Sequence, residues 1–364
     1  MNRHLISVSW PPRAGEFDEI VDVRAPGEFA EDHISGAINL PVLDDAERVT
    51  IGTIYKQRSA FEARKQGAAI VSRHIGEFLE THFAGKGKDY RPLVYCWRGG
   101  QRSGSLATVL ADVGWSVGQL EGGYRNYRTA VLETLQARGA SLPFVVLNGY
   151  TGAGKTAILQ RLHEAGEQVL DLESAASHKG SVFGGDSRNP QPAQKRFESL
   201  LYDAVAPMNS NRPVFVEAES AKIGRLNLPN PIWQRLKGAP VIEIDSPVAS
   251  RAAHILSEYR DWLDDLERID ETIDRLHRYH STQKRSEWKA LAAAGRWEAF
   301  TESLLSEHYD QHYRIGGKGN YEAPRKIITL PNPSEERLLA ATSQISEFGR
   351  ALITDKKPSL ISGD

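Results

Sequence analysis

The stretch Val94-Tyr-Cys-Trp-Arg-Gly-Gly-Gln-Arg-Ser103 decides how the first part of this chain is read. An apolar run, Pro92–Tyr95, stops at Cys96; a Gly-rich turn follows, and helical spacing sets in from Ser103 to Val113. Strand, loop and helix in that order end a parallel strand at a loop whose amides converge on one point. The helix N-terminus, Arg98 and Arg102 add positive charge there, and each favours thiolate over thiol. Cys96 is the only cysteine in 364 residues. A free cysteine is often just a small buried hydrophobe. Two arginines and two glycines in the next six residues, however, are poor core material.

The flanks continue the alternation. Upstream, Glu19–Val23 reads as a strand, residues 24–30 as a turn into a short helix, and His33–Pro41 as turn, strand, turn. Residues 56–83 carry helical spacing through Phe61, Ala69, Ile70, Ile75, Phe78 and Leu79. Downstream, Ser116–Leu120 reads as a strand, and a helix follows to about Arg138, closed by Gly139. Such alternation implies a parallel sheet with helices on both faces and ligands at the carboxyl ends of strands. Asp22-Val-Arg-Ala-Pro-Gly-Glu-Phe29, His33-Ile-Ser-Gly-Ala-Ile-Asn-Leu-Pro41 and the Cys96 loop resemble the three signatures of a rhodanese domain, over roughly residues 5–138. The resemblance implies a cysteine that carries sulfur or selenium. There is one departure: Arg102 lies six residues after Cys96, whereas common sulfurtransferase loops place it five after. Cys-x5-Arg-Ser is also the pattern of cysteine phosphatases, so the wider loop suits an anion bulkier than thiosulfate. Asp22 and Arg24 read as a structural ion pair or turn cap in preference to direct chemistry.

A second motif starts the second half. Pro143–Leu147 is a strand run leading into Gly149-Tyr-Thr-Gly-Ala-Gly-Lys-Thr156 and a helix through Glu164. This is a complete P-loop in its strand–loop–helix setting. The amides around Gly149, Thr151, Gly152, Ala153 and Gly154 can wrap phosphate oxygens, Lys155 supplies a point charge, and Thr156 a hydroxyl for phosphate or Mg²⁺. Further strands are expected at Gln168–Leu172, Pro213–Glu217, Pro240–Asp245 and Arg325–Leu330. Their terminal acids, Asp171, Glu217 and Asp245, are the candidates to hold Mg²⁺; Glu217 is favoured, with Glu219 and Arg188 as supporting residues, but Glu217-Ala-Glu-Ser220 lacks the usual aspartate, and structural capping of the next segment is the alternative. The Gly/Pro-rich stretch 183–192, which contains Arg188, reads as a lid, a substrate loop or a plain connection.

From Val248 to about Tyr313 the pattern is helical, with charges of both signs and interleaved Trp and Tyr. Solvated helical faces over an aromatic core explain it more simply than a tRNA platform of cations and stacking rings. His308 and His312 have i, i+4 spacing, but no Glu-x-x-His frame accompanies them, so a metal site is not expected. Leu338–Leu352 reads as a closing amphipathic helix, followed by a frayed tail.

Bulk properties narrow the field. A net charge of −2 advertises no global field for nucleic acid. One cysteine precludes an internal disulfide and thiolate-type structural zinc. The N-terminal residues lack a signal-peptide apolar core, and no run is long enough for a membrane span, so a cytoplasmic protein is expected. The fold class is α/β: a rhodanese-like parallel-sheet domain over residues 1–139, then a P-loop NTPase-like α/β domain over 140–354 with a helical extension at about 248–313, and a tail at 355–364.

That two-domain order, with Glu217-Ala-Glu-Ser-Ala-Lys-Ile-Gly224, resembles the bacterial tRNA 2-selenouridine synthase family over nearly the whole chain. The resemblance implies a transferase acting on wobble 2-thiouridine in the anticodon loop of tRNA. Selenophosphate would be the selenium donor and geranyl diphosphate the donor of a transient S-geranyl group, with no tightly bound cofactor. It assigns the diphosphate to Lys155, Thr156 and the loop amides, and selenium to Cys96 with Arg98 and Arg102 stabilising the anion. The alternatives are a P-loop kinase or cysteine phosphatase, and a non-catalytic RNA-binding or sensor protein.

Overall fold

The computed structural model describes residues 4–178, 190–258, 263–311 and 321–354. They divide into two compact units: residues 1–134 with 192–203, and residues 135–191 with 204–364.

The first unit is built on five strands: β1 (Leu5–Val8), β2 (Glu19–Asp22), β3 (Ala37–Asn39), β4 (Pro92–Tyr95) and β5 (Val117–Leu120). All pair in parallel, in the order β1-β5-β4-β2-β3. The central strand β4 is buried along its length, with Leu93, Val94 and Tyr95 at 0% exposure. Full burial of each such side chain contributes about 1.5–3 kcal/mol, enough to fix where the strand, and Cys96 at its end, must lie. The helices are α1 (Pro26–Glu31), α2 (Asp45–Gln57), α3 (Ala60–Glu80), α4 (Gln101–Val113) and α5 (Gly123–Ser141). On α4, Leu106, Ala107, Leu110 and Ala111 form the buried stripe that packs it on the sheet. Gly114 ends it in a left-handed conformation.

The helix expected over 56–83 is α3, which begins at Ala60; α2, over Asp45–Gln57, precedes it and had no counterpart in the sequence reading. Asp44 caps α2 in a reciprocal box: its carboxylate accepts from the Glu47 amide at 2.7 Å, and Glu47 accepts from the Asp44 amide at 2.9 Å. Ser59 then caps α3, accepting from the Phe61 amide at 3.1 Å. Gly139 does not close the helix before it; α5 runs on to Ser141. Strand β1 had no alternation to mark it and exists through its register with β5.

The second unit has a parallel sheet of β6 (Phe144–Asn148), β7 (Gln168–Leu170), β8 (Val214–Glu217), β11 (Val241–Asp245) and β12 (Lys326–Thr329), in the order β12-β11-β6-β8-β7. A two-stranded hairpin, β9 (Lys222–Ile223) with β10 (Leu226–Asn227), stands apart from it. Helices α6 (Lys155–Glu164), α7 (Leu172–Ala176), α9 (Asn230–Lys237), α10 (Val248–Glu258) and α14 (Glu335–Thr354) accompany the sheet. The helical extension contains α11 (Leu266–Arg275), α12 (Thr282–Ala293) and α13 (Trp297–Leu304). It packs Ile269, Ile273, Leu276, Trp288 and Phe300 into a small core of its own.

Helix α8 (Gln194–Val205) follows the P-loop in sequence yet belongs largely to the first unit. Ser199 donates to Asp32 at 2.9 Å, Arg196 to the His33 carbonyl at 3.0 Å, and Trp10 to Tyr202 at 3.1 Å. Arg128 forms an ion pair with Glu198. No helix among the described residues is long and apolar enough to cross a membrane.

Candidate active site

Cys96 follows the last residue of β4 and is 3% exposed. The turn around it is held shut from the α5 side: Tyr124 donates its amide to the Cys96 carbonyl at 2.8 Å, and Arg125 to that of Trp97 at 3.1 Å. Gly123 makes this approach possible. Its φ is +57°, and a Cβ there would sit 2.2 Å from the Cys96 carbonyl oxygen. Gln119 braces the far side, donating to the Gly99 carbonyl at 2.9 Å and to Ser103 at 3.1 Å. Ser103, fully buried, donates its hydroxyl to Cys96 Sγ at 3.2 Å.

Burial opposes ionisation of the Cys96 thiol. The Ser103 hydroxyl and the amides of Ser103, Arg98 and Gly100 outweigh it, and the pKa lies below that of an ordinary thiol. The positive charge expected from guanidinium groups is therefore supplied here by oriented dipoles. Arg98 is exposed and contributes its amide. Arg102 forms a fork on Glu28, at 2.8 and 3.4 Å. Asp22 and Arg24 stand behind the site as a fully buried pair, with Arg24 Nη2 2.6 Å from Asp22, the guanidinium stacked 4.0 Å over Tyr124, and a further bond to the Asp32 carbonyl. Breaking a buried pair of this kind costs about 3–5 kcal/mol, so these residues secure the β2 loop without touching the thiol.

The P-loop leaves β6 and enters α6 at Lys155. At Gly152 φ is +80°, and a Cβ would lie 2.9 Å from the Arg251 carbonyl. Lys155 Nζ is folded onto the loop, donating to the Gly149 carbonyl at 2.6 Å and that of Tyr150 at 3.4 Å. Desolvation lowers its pKa; Glu173, Glu219 and Glu217 pull the other way. Ala153 and Gly154 are buried within the loop, and Thr156 is exposed in the first turn of α6.

Glu217 ends the buried strand β8 at 3% exposure. One oxygen accepts from the Glu173 amide at 2.7 Å; the other, Oε2, has no hydrogen-bond partner. Burial first, then the Asp171 charge, pushes its pKa well above the carboxylate range. Glu219, bonded to Glu173, is raised to about 7 by burial and by that neighbour, against the pull of Lys155. Asp171 is committed to capping α7, accepting from the Ser174 amide at 2.7 Å. Among the described residues no group of three or more His, Cys, Asp or Glu side chains could hold a metal ion. The orphaned Glu217 oxygen is the feature of this site that would suit a Mg²⁺ arriving with its phosphate.

Sequence reasoning missed five contributors: Glu28, Gln119, Ser103, Glu173 and Arg251. Arg251, on α10 and 2% exposed, donates to the Thr151 carbonyl of the P-loop at 3.1 Å and forms a fork on Asp310 at 2.9 and 2.7 Å. Glu28 was visible in the first signature of the first domain, but nothing in the sequence ties it to Arg102. Arg251 carried no signal at all, being one charge among many on a helix. Arg188 lies outside the described residues, as do residues 183–189 of its loop and His312. His308 is buried and bonds His280 at 3.0 Å. Asp245 is exposed at the end of β11.

Comparison with known proteins agrees with both halves. Residues 11–130 match the model of the rhodanese-like domain, and residues 142–281 that of the tRNA 2-selenouridine synthase AAA domain. A tRNA 2-selenouridine synthase of Nitrosomonas europaea is 35% identical over 251 residues, 66% of this chain and 63% of that protein. One from Sulfurovum is 35% identical over 68% of this chain and 70% of its own. One from Pseudomonas fluorescens is 32% identical over 81% of this chain and 87% of its own. The chain thus spans somewhat under two thirds of the Nitrosomonas relative and most of the Pseudomonas one. Two domain matches in the order of the two loops, and relatives that run through both, show that this chain belongs to the tRNA 2-selenouridine synthase family.

Proposed function

We propose that this protein modifies tRNA, replacing the sulfur of wobble 2-thiouridine by selenium in two steps. A thiocarbonyl sulfur is a poor leaving group. In the first step it attacks C1 of geranyl diphosphate: the C–S bond forms, the C–O bond breaks, diphosphate departs with the electron pair, and the base loses its N3 proton. The departing diphosphate needs a cradle that neutralises developing charge without hydrolysing a nucleotide. Lys155, the α6 N-terminus and the P-loop amides suit that role, with Lys155 exchanging its bond to the Gly149 carbonyl for phosphate oxygen. A Mg²⁺ bound with the diphosphate would add Lewis-acid stabilisation beside Thr156 and Glu217.

In the second step C2 of the S-geranyl base is electrophilic. The selenium of selenophosphate, held at Cys96, adds at C2; the C2–S bond breaks and geranyl thiolate leaves with the electron pair, and water then cleaves the Se–P bond, releasing phosphate and leaving selenium on C2. The observation that carries this reading is the Cys96 sulfur, nearly buried yet held toward thiolate by Ser103 and three amides. Such a loop serves a soft anion at a strand end.

The test is mass spectrometry of tRNA nucleosides from cells lacking the gene, complemented with wild type, Cys96→Ser or Lys155→Ala. Wild type restores 2-selenouridine and neither variant does. Cys96→Ser accumulates the geranylated nucleoside, and Lys155→Ala lacks it. Normal selenouridine with Cys96→Ser would remove Cys96 from the scheme; normal geranylation with Lys155→Ala would remove the clamp. Phosphomonoesterase activity that depends on Cys96, with tRNA unaffected, would favour the phosphatase alternative.

A further inference from the structure

The helical extension of the second unit is the stretch whose composition suits an RNA platform, but its cations are largely spent internally. Arg285 pairs with Asp274 at 3.1 Å, Lys289 with Asp274 at 2.9 Å, and Lys284 with Glu287 and Glu307 at 2.9 and 2.8 Å. Trp288 is fully buried. Little positive charge is left over for phosphate.

The corner between α2 and α3 in the first unit is the opposite case. Residues 56–65 hold Lys56, Arg58, Arg64 and Lys65 against one acid, Glu62. All four cations are exposed, and among the described residues none has an ion pair. Two large aromatic rings stand out between them: Tyr55 is 60% and Phe61 65% exposed. In a chain whose net charge is −2, this is an unneutralised basic spot studded with rings that the core does not use. It also leads somewhere. Tyr55 and Arg64 line one wall of a groove of about 670 Å³ whose other wall includes Gln101 and Arg102, the first turn after the Cys96 loop. That volume suits a small organic group, such as one extruded nucleotide, and not a protein segment of any size.

We infer that the α2–α3 corner is the surface that binds single-stranded RNA, gripping the backbone of an anticodon loop and feeding one base along the groove toward Cys96. Lys56, Arg58, Arg64 and Lys65 contact phosphates, and Tyr55 and Phe61 stack on unpaired bases. Cations interleaved with accessible rings are how proteins hold single strands, since every base offers a π face and every nucleotide a charge. The inference rests on the proposed action on tRNA and locates where that substrate is held.

The experiment uses the full chain and a fluorescent anticodon stem-loop RNA, with affinity measured over a range of salt. Lys56→Ala, Arg58→Ala, Arg64→Ala and Lys65→Ala together should weaken binding at least about a hundredfold at low salt and make the log–log salt slope shallower by about 3, at roughly 0.7 per lost single-strand contact. Tyr55→Ala with Phe61→Ala should cost about tenfold or more with the salt slope unchanged. Arg285→Ala with Lys289→Ala should stay within about twofold, because those cations are already neutralised. Unaltered thermal melting and Cys96 alkylation rates verify that each variant is folded. If wild type binds and the quadruple variant binds equally well, this surface is wrong while the tRNA reading stands. A loss confined to the Arg285/Lys289 variant returns the platform to the helical extension. If wild type does not bind the stem-loop, the tRNA reading and this surface fall together. Binding of a protein partner that follows the same four residues, with RNA affinity unmoved, also overturns it.

Discussion

The Cys96 loop and the P-loop have the same frame: a buried parallel strand, a Gly-rich turn and a helix that begins at the turn. They differ in which charge the protein itself supplies. The Cys96 loop carries its own ionisable sulfur. Amides and the Ser103 hydroxyl are aimed at a sulfur built into the chain, while the Arg102 guanidinium is held by Glu28. The P-loop carries a cation in waiting. Lys155 rests on the Gly149 carbonyl amid Glu173, Glu217 and Glu219, and no covalent anion fills the loop. In the proposed scheme one loop makes a nucleophile and the other receives a leaving group. Similar backbone logic would then serve opposite halves of a substitution, with the side chains around each turn deciding which.

The largest effect that could break this contrast is at the sulfur. Cys96→Ser should abolish selenouridine formation, by more than about a thousandfold, since a hydroxyl is a far weaker nucleophile than a thiolate. Nucleoside mass spectrometry reads it, and the geranylated intermediate should rise. Next, Lys155→Ala should slow geranyl transfer by about 10²–10³, the scale of losing one preorganised charge partner in a water-poor site. The readout is release of diphosphate with a 2-thiouridine stem-loop as acceptor. If Lys155→Ala instead leaves geranyl transfer intact and lowers only selenation, the division of labour between the loops is reversed.

Ser103→Ala should have a moderate effect. A hydrogen bond to a charged acceptor is worth about 1.5–3 kcal/mol, so alkylation of Cys96 by iodoacetamide at neutral pH should slow about tenfold or more. The Cys96 pKa is depressed in the native protein, so the variant's rate profile should shift to higher pH and recover there. An unshifted profile would mean that the amides alone hold the thiolate.

The smallest effect concerns Glu219. With its pKa at about 7, it is neutral below that pH and charged above it. Inorganic pyrophosphate should bind several-fold more weakly as pH rises through about 7, because a carboxylate then competes for Lys155. Glu219→Gln should flatten this dependence in calorimetric titrations. Sign matters for stability as well. A carboxyl whose folded pKa is raised costs the folded state as pH climbs from its unfolded value, about 4.3, toward 7. Glu219→Gln should therefore melt a few degrees above wild type at alkaline pH and equal it in acid. Equal melting throughout would argue that Glu219 ionises normally.

Much of this was legible in the chain. The strand ending at Cys96 could be read because four apolar residues run up to a Gly-rich turn, and the P-loop because its spacing fixes both backbone and lysine. Helix α2 was not read, although Asp44 is an ordinary cap, and the start of α3 at its Ser59 cap was placed a few residues early. Helix α8 was not read as part of the first unit, since its partners Asp32, His33 and Trp10 lie more than 160 residues away. The balance between paired and unpaired cations was equally hidden: charge density along the chain is similar in both helical regions, and only packing brings Asp274 to Arg285 and leaves Arg58 without an acid.

By itself, then, the sequence determined the local frames: which strand ends in a thiol, which turn can wrap phosphate, and in what order they come. These follow from short-range rules of periodicity, glycine content and spacing. Tertiary structure alone decided the charge environment of each frame. It put the Ser103 hydroxyl on the sulfur, tied Arg102 to Glu28, placed Arg251 against the P-loop and brought three carboxyl groups close to Lys155. Electrostatic energy depends on distances through space and on burial, and neither is written in the separation of residues along a chain.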